Sequence, residues 1–363
     1  MTDLQNQIRA DPYNFICDYY ESVYKNAGRE IFSILSLVIP SLILPPIPHE
    51  NAREIKSSIN VLMIAPPGDG KSSIAETFSK LAYNSFNFES ITDAKFYEVI
   101  SQKDFVSIVV GDVFKIFSDK MLTKTMENVL GDEQKISRMT KRTDSHEKKI
   151  RAVAFLAGVP SALTSVISDG MIFRTSVLLL FHNPEEHEDI GEFVGRGAFK
   201  DHKGSEKELE ISQYYKELLE IQMDRHREID PIKGYIVKEE YKQRIINAWK
   251  PLVKPITRRT KFSFFREMHQ AMRYMVSHAF LNIFNRKVEE GKIVIEEEDV
   301  KVAIELMTKE LETKFEILSC SKVVSEERMK TTKDLAEYVD KLKKNKIRIK
   351  DTSENIMGSI LGR

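Results

Sequence analysis

Apolar residues recur at three- and four-residue spacing through FICDYYESVY and REIFSILSLV, which predicts that residues 1–58 are largely helical. Between residues 31 and 47 the chain reads IFSILSLVIPSLILPPI, without a charge. A membrane span needs roughly 20 uninterrupted residues, and this run is shorter and broken by Pro40, Pro45 and Pro46. It reads as a buried helix giving way to an irregular connector. The period then changes. INVLMIA over residues 59–65 is a continuous apolar run closed by PPGDG, the pattern of a strand covered on both faces in a parallel sheet. SSIAETFSKLA returns to helical spacing and sets Ile74, Phe78 and Leu81 on one face. A short strand FNFES, a helix over residues 93–102 and a third strand VSIVV follow. VFKIFSDKMLTKTMENVL predicts one long amphipathic segment, and a charged stretch separates it from two further strands, AVAFLAG and TSVLLLF. Strands and helices alternating in this order predict a doubly wound α/β core over residues 59–185.

Past residue 185 the pattern turns helical and more polar, a connector over residues 186–260 in which GRGAFKDHKGSEKELE reads as an exposed connection. FFREMHQAMRYMVSHAFLNIF then places Phe265, Met268, Met272, Met275, Ala279 and Ile283 on one stripe, and EEEDVKVAIELMTKEL is a helix with an acidic start. Together they predict a compact helical unit over residues 261–318. Residues 319–363, with KLKKNKIRIK, read as a small helical addition or a basic tail.

Composition narrows the class. With 42% apolar and 30% charged residues, wholesale disorder and a membrane-embedded protein are both excluded. The 55 Lys and Arg balance 55 Asp and Glu, so contact with nucleic acid would have to come from a local basic patch. Cys17 and Cys320 are too few for a disulfide framework or a cysteine zinc site, and they fit a reducing cytoplasm. MTDLQNQIRADPYNF lacks the basic-then-apolar layout of a signal peptide. The expectation is a cytoplasmic chain with no membrane partner.

The strongest chemical signal is Ala65-Pro66-Pro67-Gly68-Asp69-Gly70-Lys71-Ser72, between the first core strand and a helix. A glycine-rich turn there can wrap backbone N–H groups around phosphates, because the donors and the helix dipole both face the anion. Pro67, Gly68, Asp69, Gly70, Lys71, Ser72 and Ser73 are thus the candidate phosphate-binding residues, with ATP and Mg²⁺ as the implied ligands. Lys71 would neutralise the β- and γ-phosphates, Ser72 would hold Mg²⁺ through its hydroxyl, and Ser73 would donate to the α-phosphate. A metal-anchoring acid should end a neighbouring apolar strand. Ser107-Ile108-Val109-Val110-Gly111-Asp112 supplies Asp112 for that role. The following residue in hydrolytic members is a Glu that activates water, and here it is Val113. Asp119, Glu127 and Glu133 are the alternative carboxylates.

Several segments resemble the minichromosome-maintenance (MCM) helicases of the AAA+ superfamily. REIKSSINVLMIAPPGDGKSS is similar to the approach to their phosphate loop, RAVAFLAGVP to the strand ending at their first sensor, and DGMIFRTSVLLLF to the segment bearing their arginine finger. FFREMHQAMRYMVSHA with VIEEEDVKVAIELM resembles their second-sensor helix and lid. KISRMTKR and AGVPSALTSVISDG are also similar to segments of plasmid- and phage-encoded ATPases.

The resemblance implies an AAA+-like P-loop NTPase core with a helical N-terminal cap and a helical C-terminal lid. It makes Arg174 a finger acting on a neighbouring subunit, hence a homo-oligomeric ring, and Arg266 the second sensor with Arg273 two turns along. The first-sensor position, normally Asn, falls on Gly158 or Val159. It also places the basic run Lys135, Arg138, Lys141, Arg142, Lys148, Lys149 and Arg151 where these helicases insert a DNA-touching hairpin, with phosphate contacts that carry no sequence information. The implied activity is an ATP-driven, helicase-like DNA motor or remodeller in replication of a virus, plasmid or mobile element. The alternatives are an ATP-gated assembly scaffold with little turnover and a packaging or partition ATPase.

Overall fold

The structure is a computed structural model, and it describes all residues except 1–2, 25–26, 49–53, 132–133, 141–142, 163–170, 183, 198–205, 227, 261–264 and 327–363. The chain opens with α1 (Asp3–Ala10), α2 (Pro12–Val23) and α3 (Gly28–Ser41). Asp11 starts α2 by accepting the amide of Asn14, with Pro12 in the first turn, where a missing N–H costs nothing. α3 is buried on every side along most of its length, and Pro40 falls in its last turn. A helix apolar all round belongs inside the protein. α3 packs against α2 and the sheet, so the uncharged run supports the core directly. Among the described residues no helix is long and apolar enough to cross a membrane.

The core alternates as its pattern predicts: β1 (Val61–Ile64), α4 (Lys71–Leu81), β2 (Ser85–Phe88), α5 (Asp93–Ser101), β3 (Phe105–Val110), α6 (Val113–Phe117) and α7 (Lys120–Leu130). After these come β4 (Lys135–Thr140), β5 (Thr143–Lys149), β6 (Arg151–Gly158) and β7 (Ser176–Leu179). The main sheet is parallel, in the order β2-β3-β6-β1-β7. β1 is buried at all four positions, which explains its unbroken apolar run. Right-handed crossovers put α4 on one face and α5 with α7 on the other. The long amphipathic segment is two helices, since the Asp119 carboxylate accepts the amides of Met121 and Leu122 and starts α7 afresh.

The charged stretch is an antiparallel hairpin of β4 and β5, joined to no other strand of the main sheet. It leaves from the amino ends of β3 and β6, where Arg151 pairs with Phe105.

α8 (Pro184–Gly197), α9 (Glu206–Gln222), β8 (Gly234–Ile236) and α10 (Glu239–Thr260) follow. α11 (Phe265–Leu281), β9 (Val288–Glu289), β10 (Lys292–Val294) and α12 (Glu297–Glu326) complete the described chain. β8 pairs with β10 across residue 260, and α12 runs through residue 318. Met275, Ala279 and Ile283 are buried as their stripe predicts, but so are Tyr274, Val276 and Phe280. α11 lies between α3 and α12, so its core-facing surface is wider than one stripe. Of the predicted exposed connection, residues 195–197 end α8 and 206–210 begin α9, where Glu210 is buried, while residues 198–205 lie outside the described residues, as does the KLKKNKIRIK segment.

Candidate functional site

Three strand ends build the site. In the register of the sheet Ile64 stands beside Gly158, and Val110 beside Leu156, so the carboxyl ends of β1, β6 and β3 open on the same side. Ligands of open α/β sheets bind at that edge. Here a cavity of about 420 Å³ is lined by Pro67, Gly68, Gly70, Lys71, Ser72, Ser73, Gly111, Asp112, Gly158 and Val159. Its size is in the ordinary range for small-molecule sites.

The loop after β1 takes the conformation its glycines allow. Gly68 and Gly70 have φ of +95° and +79°, and an added Cβ at either would meet nothing within 4 Å, so backbone geometry sets the requirement there. Gly70 precedes α4 and offers no side chain to its first turn, which keeps those amides uncapped. Ser72 and Ser73 are exposed at the cavity wall.

Lys71 Nζ donates to the carbonyls of Ala65 and Pro66, both at 2.6 Å. Partial burial holds its ammonium below the usual lysine range, while Asp69 and Asp112 pull the other way. A cation held among carbonyl dipoles and two carboxylates is placed to exchange those partners for phosphate oxygens.

Asp69 departs from its expected place. The residue is 5% exposed, it is absent from the cavity lining, and its amide donates to Pro66 O at 3.4 Å. It shapes the turn and is not among the residues that line the cavity.

Asp112 lines the cavity one residue beyond Gly111, and its Oδ1 accepts the amide of Phe114 at 3.1 Å, starting α6. Asp112 and Ser72 border the same cavity, a carboxylate and a hydroxyl that could share a hydrated cation. The donor set of serine hydroxyl, carboxylate and phosphate oxygens suits Mg²⁺.

Val113 is fully buried, and a Cβ placed on Gly158 would come within 2.7 Å of Val113 Cγ1 and 3.1 Å of Ile64 Cδ1. The position where the MCM resemblance would seek Glu is thus a valine in contact with Gly158, one of the two candidate first-sensor positions, and Val159, the other, lines the cavity. Neither alternative carboxylate in the described region replaces that Glu: Asp119 caps α7, and Glu127 pairs with Arg174 at 3.5 Å. Glu133 lies outside the described residues.

The structure does not bring the two implied arginines to this cavity. Arg174 precedes β7 at the amino end of the sheet, where its carbonyl accepts from Asn60 Nδ2. Arg273 is 5% exposed, donates to Lys56 O at 2.9 Å and contacts Gln270, which in turn donates to Ser176 Oγ. This turn of α11 therefore sits at the amino ends of β1 and β7, and Arg273 is a packing residue. Arg266 is exposed, two turns earlier on the same helix.

In the basic run, Lys148 is tied to Asp104 and Ser101, and Arg151 donates to Ile43 O, so both are held by the body. Lys149 is exposed. Lys135 sits on β4 and Arg138 on the same strand, whereas Lys141 and Arg142 lie outside the described residues. Among the described residues no group of three or more His, Cys, Asp and Glu side chains is placed to hold a metal ion.

The fold and site define an α/β protein with a five-stranded parallel sheet flanked by helices and a glycine-rich loop leaving its central region. No protein-family model matches the chain, and no curated protein matches it in sequence.

Proposed function

We propose that the protein binds ATP with Mg²⁺ at the cavity above β1 and acts as an AAA+-like ATPase, assembled as a homo-oligomer and working on DNA in replication of a virus, plasmid or mobile element. One observation carries the reading: Lys71, Ser72 and Asp112, far apart in chemistry and drawn from two strand ends, line a single cavity beside uncapped amides. Ser72 and Asp112 would hold Mg²⁺, which would supply positive charge against the phosphate oxygens. Lys71 adds a positive charge, and the α4 amides orient the triphosphate tail. Arg174 lies at the opposite end of the sheet from its own loop, so it could serve a nucleotide only on a neighbouring chain. The exposed Lys149 and the strand bearing Lys135 and Arg138 put basic residues on a hairpin suited to backbone phosphates.

The contact between Val113 and Gly158 favours a second reading, an ATP-gated assembly scaffold with slow turnover. A Glu in place of Val113 would enter a buried apolar contact, where its charge is costly. Phosphate release measured with DNA across a salt series, using Lys71→Ala as control, separates the two. A motor shows DNA-stimulated release that Lys71→Ala and Arg174→Ala each abolish and that mixing the two variants partly restores. Binding that needs Lys71 without stimulated release supports the scaffold, and binding indifferent to Lys71 defeats both.

A further inference from the structure

A second cavity, of about 330 Å³, lies where α1 packs on α9, and its lining shares no residue with the site at the strand ends. Helical spacing explains what α9 brings to it: Glu210, Gln213, Tyr214 and Glu217 fall three, four and seven residues apart on one face. From the other wall α1 supplies Ile8 and Arg9. The volume is at the small end of the range for ligand sites.

Most polar groups there are already engaged. Arg9 pairs with Glu217 and lies over the Phe284 ring at 4.3 Å. His226 donates its Nε2–H to the same carboxylate at 3.3 Å, because its Nδ1 accepts the amides of Glu228 and Ile229. Gln5 donates to Gln213, and Tyr214 gives its hydroxyl to Leu281 O. Lys216 and Glu220, also in the lining, stand one turn apart and offset each other's charge. Glu210 is the exception. It is 8% exposed, and its Oε2 is buried with no hydrogen-bond partner.

A buried carboxylate without a partner is costly, so this wall is built for a positive group that the described chain does not supply. Among the described residues no three metal-ligating side chains gather to hold a metal ion, which leaves an organic cation. An alkylammonium has three N–H donors. It matches the Glu210 carboxylate and the side-chain oxygen of Gln213, which accepts from Gln5 and keeps a second lone pair. We infer that this cavity binds a small aliphatic amine, its ammonium on Glu210 and its carbon chain against Ile8 and the Tyr214 ring.

Calorimetric titration of the full chain with butane-1,4-diamine tests it. Saturable binding near one amine per chain is expected, weakened about tenfold or more in Glu210→Gln, which keeps the side-chain shape and removes the charge. Losing an uncompensated buried charge should leave that variant folded. Thermal unfolding of the wild-type chain reads the same point without a substitution. The diamine and n-butylamine should raise the melting temperature, and tetramethylammonium, a cation without an N–H, should not. No saturable binding by the wild-type chain, undiminished binding by Glu210→Gln, or equal shifts with all three cations would overturn the inference. Whether ATP binds above β1 does not bear on any of these outcomes.

Discussion

The two ends of the parallel sheet hold similar side chains and use them in opposite ways. At the amino end, charges are spent on one another. Lys314 is buried between Glu267 at 3.0 Å and Glu310 at 2.5 Å, Tyr274 donates to Glu310 at 2.6 Å, and Gln270 and Arg273 tie α11 to Ser176 and to Lys56 O. Burial alone would lower the Lys314 ammonium, but the two carboxylates outweigh it and hold it above the usual range. At the carboxyl end, Lys71 rests on carbonyls, Ser72 and Ser73 are exposed, and the α4 amides have no capping side chain. The lesson is that a network whose charges face one another secures a fold, while an undersupplied one keeps donors for a ligand.

The comparison is sharpest where a buried charge loses its partner. Lys314→Ala leaves two acids buried together and should cost about 3–5 kcal/mol in urea unfolding. Lys71→Ala, at the other end, should shift stability by no more than about 0.5 kcal/mol. Similar losses at both ends would erase the distinction.

The floor of the site comes next. Gly158→Ala forces a methyl group against Val113 and should cost about 1–3 kcal/mol. Combining it with Val113→Ala should recover part of that cost, and strict additivity in the double-mutant cycle would mean the two positions do not touch.

A smaller effect is expected from acid. Burial works to raise the Asp299 carboxyl, but hydrogen bonds from His278 at 2.6 Å and Arg286 at 2.8 Å prevail and hold it below its ordinary value of 3.8. A carboxyl depressed on folding stabilises the protein above its unfolded value and loses that contribution as pH falls through the folded one. Stability should therefore drop below about pH 4, with a shallower acid limb in Asp299→Asn. The smallest change is at the edge of the amino-end network, where Glu127→Gln should cost under about 1 kcal/mol because the Arg174 pair is partly open to solvent.

The core strands were legible because burial on both faces leaves an unbroken apolar run, as in VLMI of β1 and AVAFLAG of β6. The glycine-rich turn between β1 and α4 was legible because its glycines meet a local backbone requirement. The hairpin was legible only through the MCM resemblance, since TDSHEKK itself has no apolar alternation. The place of Arg273 was not legible: helical spacing put it on a face, but only the packing of α11 against the start of β1 shows that the face is buried. The Val113–Gly158 contact required knowing that β6 lies next to β3, information no local window contains.

Calorimetric titration of the full chain with ATP in the presence of Mg²⁺ tests the central claim most directly. Saturable binding near one nucleotide per chain, lost in a Lys71→Ala variant that melts at the wild-type temperature, is the predicted result. Absence of saturable binding by the wild-type chain, or equal binding by the variant, would contradict it.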